Sequence, residues 1–223
     1  MTESSLIFTL GLGFMLGLRH ATEADHVVAV ATIVSERRSV LASAVVGMYW
    51  GIGHTLSLLV AMLAVLALGM AIPDDVAGLL EFGVAVMIIG LGLRLLWLTA
   101  TGKDHVHHDA EAQQGSRPAT GWRNSLKAVL VGAMHGLAGS AALIVLIQAE
   151  VMRQGGTWQG LAYLVLFGIG SMIGMGLMGS VIGLPFALRR GSGVGLARTL
   201  SWLAGIGSVL FGLWYGWQSW PGG

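Results

Sequence analysis

Gly17-Leu18-Arg19-His20-Ala21-Thr22-Glu23-Ala24-Asp25-His26 places an arginine, two histidines, a glutamate and an aspartate within ten residues. On either side the chain is apolar, from Leu6 to Leu18 and from Val27 to Val34. A charge near the centre of a bilayer costs at least ~2.5–3.5 kcal/mol. Packing alone does not offset such a cost several times within one segment. The stretch therefore reads as a ligand site set inside a membrane span, and the other apolar segments are read by what they bring to it.

Composition supports the membrane reading. Of 223 residues, 55% are hydrophobic and only 10% charged, with a mean hydropathy of +0.77. Soluble domains carry about 25% charged residues, so we expect an all-α integral membrane protein with one transmembrane domain over 1–223. A net charge of +1 offers no footing for a nucleic-acid partner. With no cysteine, disulfides, thiolate metal ligands and thiol catalysis are excluded together. Glycine is abundant, 35 residues, and in lipid small residues let helices approach closely. The N-terminus has neither the basic flank nor the cleavage site of a signal peptide, so Leu6 onward reads as a retained first helix.

A spanning helix needs about 20 apolar residues, which predicts six: 5–34, 39–70, 76–100, 123–150, 158–188 and 196–218. Arg37-Arg38, Pro73-Asp74-Asp75, the polar loop 101–121, Arg153 to Gly156 and Arg189-Arg190-Gly191 separate them. Several exceed the length needed, so tilts or helix breaks are expected. The loops after the first, third and fifth spans, with their edges, hold Arg37, Arg38, Lys103, Arg117, Arg123, Lys127, Arg189, Arg190 and Arg198; the opposite side holds Arg153. That bias puts both termini outside and loop 101–121 in the cytoplasm. Trp97, Trp122, Trp158, Trp202, Trp214, Trp217 and Trp220 all fall near predicted interfaces.

The two halves repeat one another. Gly17-Leu18-Arg19-His20 resembles Gly132-Ala133-Met134-His135, 115 residues later, and Gly51-Ile52-Gly53-His54 matches Gly168-Ile169-Gly170-Ser171, 117 later. The spacing from Gly83 to Gly90 recurs from Gly205 to Gly212. With three spans each, repeat 1 (5–100) and repeat 2 (122–220) enter the membrane from opposite sides. This predicts two inverted three-helix repeats, an arrangement that binds substrate near the midplane. His20, His54, His135 and Ser171 each lie near the middle of their span.

Imidazoles and carboxylates suit a borderline divalent metal such as nickel, cobalt or zinc. His20, Asp25, His26 and His54 are the candidate metal ligands, with His135 as a transient ligand or orienting partner. Glu23, Ser171 and Thr55 are candidates for the surrounding shell. On a regular helix Glu23, Asp25 and His26 lie at about −60°, 140° and −120° from His20. Either only some of them bind the ion, or the helix unwinds around 20–26. Free imidazole titrates near pH 6.5, so protons compete with the metal in acid. Blander readings stand beside these: interhelical hydrogen bonds for His20, Asp25 and His26, core histidines for His54 and His135, and pairing of Glu23 and Arg19 with each other or with Asp25. Glu81 and Arg94 lie towards opposite ends of the third span and can snorkel to water. His105, His107 and His108 make loop 101–121 either a solvated linker or a cytoplasmic metal collector.

Three stretches carry a resemblance. GLRHATEADHVVAVATIV (17–34), with its His-x4-Asp-His, looks like the signature helix of the nickel/cobalt transporter (NiCoT) superfamily. GIGHTLSLL (51–59) resembles that superfamily's second conserved helix. VGAMHGLAGSAALIVL (131–146) looks like the fourth helix of its short branch, the urease-accessory-type (UreH-like) and NicO-like permeases. The chain departs from the superfamily in having Glu23 where Asp is usual, Ala31-Thr32 where Asp-Asn is frequent, and six predicted spans where longer members have eight. The resemblance implies passage of Ni2+ or Co2+ as substrate, with no prosthetic group, across a bacterial or archaeal plasma (inner) membrane. It implies that His20, Asp25, His26 and His54 are needed, and it admits a metallochaperone or a urease or hydrogenase maturation system as partner. No phosphate-cradling loop is present, so this chain does not hydrolyse ATP; a secondary permease, working by uptake, is the expected function. The alternatives are a nickel or cobalt exporter, an intramembrane metalloenzyme and a metal-delivery accessory protein. The enzyme lacks support, since no HExxH is present and no separate general base stands beside the ligands except Glu23.

Overall fold

A computed structural model describes residues 3–35, 37, 39–68, 73–102, 122–138, 152, 156–187 and 194–220. Seven helices and no strand occur among them: α1 (Glu3–His20), α2 (Ala24–Val34), α3 (Val40–Leu68), α4 (Asp74–Thr101), α5 (Trp122–Gly136), α6 (Thr157–Ala187) and α7 (Val194–Gln218). The loop histidines His105, His107 and His108 lie outside the described residues.

Local chemistry sets several ends. Before α4, Pro73 is held extended at φ −60°, ψ 145°, and the first helical bond runs from Ala77 N–H to its carbonyl at 3.0 Å. Gly102 then stops the helix in the left-handed region, φ 67°, which a residue without Cβ enters at no steric cost. Pro185 sits in the last turn of α6, two residues before its end at Ala187.

Helices α3, α4, α6 and α7 are long and apolar enough to cross a membrane. Their bounds agree with the second, third, fifth and sixth predicted spans to within a few residues. The first predicted span, 5–34, is two shorter helices: α1 stops at His20 and α2 starts at Ala24. In the fourth, α5 ends at Gly136, and 139–150 lie outside the described residues. Large apolar side chains stand exposed on every long helix, among them Val60, Leu93, Leu177 and Leu210. A lipid-facing surface explains them, because hydrocarbon imposes no penalty on exposed leucine and valine.

The centre of the bundle is the α3–α6 pair, flanked by α1 on α6 and by α5 on α3, while α4 and α7 pair with each other. Helix α2 touches α4, α6 and α7, and so joins the two groups. Glycines bring backbones together at four matched places. A Cβ on Gly17 of α1 would strike the Phe167 carbonyl of α6, and one on Gly132 of α5 would strike the Trp50 carbonyl of α3. A Cβ on Gly170 of α6 would strike the Phe14 carbonyl of α1, and one on Gly53 of α3 the Val129 carbonyl of α5. Each contact joins one residue of each half, and the repeat offsets exchange the partners: Gly17 and Trp50 correspond to Gly132 and Phe167, and Phe14 and Gly53 to Val129 and Gly170.

Candidate metal centre

The site is made where α1 stops. Past His20 the backbone tightens: Thr22 N–H donates to the Arg19 carbonyl at 2.9 Å and Glu23 N–H to the His20 carbonyl at 3.1 Å. The Thr22 hydroxyl also donates to the Arg19 carbonyl, at 2.6 Å. Glu23 is then extended, φ −65°, ψ 147°, before α2 begins. Three non-helical residues thus turn His20, Asp25 and His26 towards one another, which a continuous helix does not do. The unwinding that the sequence left open is present.

Helix α3 brings His54 to the same place, and the last turn of α5 brings His135. All four histidines are buried, and Asp25 is nearly so. The end of α5 repeats the end of α1: Leu137 N–H donates to the Met134 carbonyl at 3.3 Å and Ala138 N–H to the His135 carbonyl at 3.1 Å. Two helix C-termini, the negative ends of their dipoles, therefore meet at the cluster and favour a cation there.

Hydrogen bonding orients each ring. His20 Nδ1 lies 3.0 Å from Glu23 Oε1, and His26 Nδ1 lies 3.0 Å from Asp25 Oδ1. When each Nδ1–H donates to its carboxylate, each Nε2 keeps its lone pair, the arrangement by which an acidic residue fixes a metal-binding imidazole. His20 Nε2 faces His54 Nε2 at 3.0 Å, and His26 Nε2 is buried with no partner among the described residues. The other oxygen of Asp25, Oδ2, accepts from His135 Nε2 at 2.7 Å. His54 Nδ1 and His135 Nδ1 are likewise buried without a partner among the described residues. Buried polar atoms are rarely left so, and three such nitrogens in one cluster point to a ligand.

Two groups have donor atoms within 4.8 Å of one another: His20, His26 and His54, and Asp25, His26 and His135. His26 belongs to both. Of the surrounding candidates, Glu23 pairs with His20, and Arg19 is exposed. Ser171 is fully buried and its hydroxyl has no partner among the described residues, while the Thr55 hydroxyl donates to the Gly168 carbonyl at 3.4 Å across α3 and α6.

Sequence reasoning missed Trp50. Its ring stacks on His26 with centroids 6.2 Å apart and planes 16° apart, and lies 5.6 Å from His135. Phe167 lies 5.5 Å from His20. Trp50 precedes His54 by one helical turn, and a tryptophan at mid-span, away from both interfaces, was the signal available.

Comparison with known proteins gives the family. Residues 6–130 match the family model NicO, "High-affinity nickel-transport protein". The chain is 32% identical over 217 residues to the urease accessory protein UreH of Bacillus sp. (strain TB-90), covering 96% of this chain and 93% of that one. No solved structure matches it. A match over more than half its length and a relative aligned almost end to end place the chain in the NicO high-affinity nickel-transport family, a family of multi-pass membrane transporters and not of enzymes.

Proposed function

We propose that the chain is a secondary permease that takes Ni2+ or Co2+ into the cell through a site on the broken first segment. His20, His26, His54 and Asp25 serve as ligands, and His135, Glu23, Thr55 and Ser171 surround them. The observation that carries this is the buried convergence of His20, His26 and His54, two of them held by carboxylates, in a member of a nickel-transport family. Imidazole nitrogen is the ligand nickel and cobalt favour over the alkaline-earth ions.

The matched glycine contacts and the matching ends of α1 and α5 support two inverted three-helix repeats meeting at the site. In such a frame both termini lie outside. The membrane potential is driving force enough: a divalent ion gains about 4.6 kcal/mol per 100 mV, roughly three decades of accumulation. The name of the UreH relative ties that protein to urease, and we assign the nickel taken up here to a maturation system of that kind.

Reconstitution tests the reading. Liposomes holding the protein and a metal-sensitive dye, under an inside-negative potential, should admit Ni2+ or Co2+ faster than Mn2+. His26→Ala should reduce that entry at least tenfold with folded protein retained. Equal entry through the variant would sink the site. In cells, deleting the gene should lower cytoplasmic nickel; a rise would replace uptake by efflux.

A further inference from the structure

His26 sits at the centre of the cluster. Its ring centroid is 4.5 Å from that of His20, 5.2 Å from that of His54 and 4.3 Å from that of His135. Its two nitrogens meet different company. Nδ1 is 3.0 Å from the Asp25 carboxylate, whose other oxygen is 2.7 Å from His135 Nε2. Nε2 is buried and unpartnered among the described residues, and His20 and His54 complete the other donor group.

Resting on the reading above, we propose that the cluster holds two ion stations sharing His26, and that the metal passes from one to the other. The first is made by His20, His26 Nε2 and His54, all nitrogen donors. The second is made by Asp25, His26 Nδ1 and His135, two nitrogens and a carboxylate oxygen. A neutral imidazole carries one lone pair, on one nitrogen or the other, so His26 serves one station at a time. One ion is held, and it has two places to be. A lone deep cage binds an ion tightly and releases it slowly; conduction needs sites that an ion can also leave. Sharing a ligand supplies that release, because forming the second set of bonds takes His26 from the first.

The stations also differ in origin. His20, His26 and His54 all belong to the first half of the chain, whereas the second station joins Asp25 and His26 to His135 of the second half. Transfer between them is therefore transfer across the boundary between the halves. His135 becomes a ligand of its own station and not merely an orienting partner.

The test uses the full chain in detergent and in liposomes, with Ni2+ and Co2+ themselves as probes. Wild type, His54→Gln, His135→Gln and the double variant are compared, the glutamines filling much of the imidazole volume. Wild type should bind one ion. Each single variant should still bind one, with affinity within about a hundredfold of wild type, while flux falls at least tenfold. The double variant should bind none. Co2+ absorption should differ between the single variants, since His135→Gln leaves nitrogen donors only and His54→Gln leaves a mixed set. Two ions bound at once by wild type, or loss of all binding in either folded single variant, would overturn the shared-ligand relay. So would a His135→Gln protein with full flux. Absence of any Ni2+ or Co2+ binding by folded wild type is a different result: it removes the metal site itself.

Discussion

Both carboxylate oxygens of Asp25 are occupied by histidines, Oδ1 by His26 and Oδ2 by His135. An asparagine offers one acceptor oxygen and an amine that must donate. In Asp25→Asn one of the two rings therefore loses its acceptor and its orientation. We expect nickel affinity to fall 10–100-fold with helix content unchanged, measured by equilibrium dialysis and circular dichroism. Unchanged affinity would put the carboxylate outside the metal's surroundings. Trp50 makes a second case. Its indole N–H is buried without a partner among the described residues, while its ring covers His26. Trp50→Phe keeps an aromatic wall and removes an unsatisfied donor, so transport and thermal stability should both be retained. Trp50→Ala opens a cavity beside the histidines, at a cost of about 3–5 kcal/mol in well-packed cores, and should lose both. If the phenylalanine variant folded but carried no nickel, the indole N–H would belong to the ion's path.

Helices show where sequence reading reaches and where it stops. The four long spans were legible because hydrophobic length and Pro, Gly or charge at their ends are local signals. The break at Ala21–Glu23 was legible only as one of two alternatives, since alanine and glutamate are good helix formers and no glycine or proline marks it. Contacts from elsewhere hold it open: Glu23 turns back to His20 Nδ1, and His20 Nε2 meets His54 on α3. The glycines were legible as a class but not by role. Gly83 and Gly90 of α4 have nothing within 4 Å of a Cβ, whereas Gly205 and Gly212 of α7 press on Leu96 and Ile89 of α4, so the shared spacing carries no shared contact. This separates two substitutions of identical chemistry. Gly53→Ala drives a methyl into the Val129 carbonyl, and overpacking of that kind costs about 1–3 kcal/mol. Gly90→Ala meets open space and gains up to ~1 kcal/mol of helix propensity. Thermal unfolding in detergent should therefore lower the midpoint for Gly53→Ala and leave or raise it for Gly90→Ala.

At the scale of the molecule the decisive quantity is the parity of spans in each half. Three spans return the chain to the far side of the membrane, so a second half like the first must run inverted, and both termini then share a side. The charge bias of the sequence argues the same way, with nine cationic residues in the loops after the first, third and fifth predicted spans, and their edges, against Arg153 in the remaining loops. The exchanged contacts, Gly17 on Phe167 against Gly132 on Trp50 and Gly170 on Phe14 against Gly53 on Val129, are what a two-fold relation between the halves produces, and the parity of spans decides how its axis lies. The absence of cysteine makes this directly measurable, because any cysteine introduced is unique. In intact cells a membrane-impermeant maleimide should label Ser4→Cys and Gly222→Cys, and should reach Ala110→Cys only after permeabilisation. Each variant should still accumulate nickel, since none of these positions lies near the histidine cluster in sequence. Labelling of Ser4→Cys and Ala110→Cys from the same side would give the first half an even number of spans. The halves would then run in parallel, and the axis relating His20 to His135 would stand along the membrane normal instead of across it.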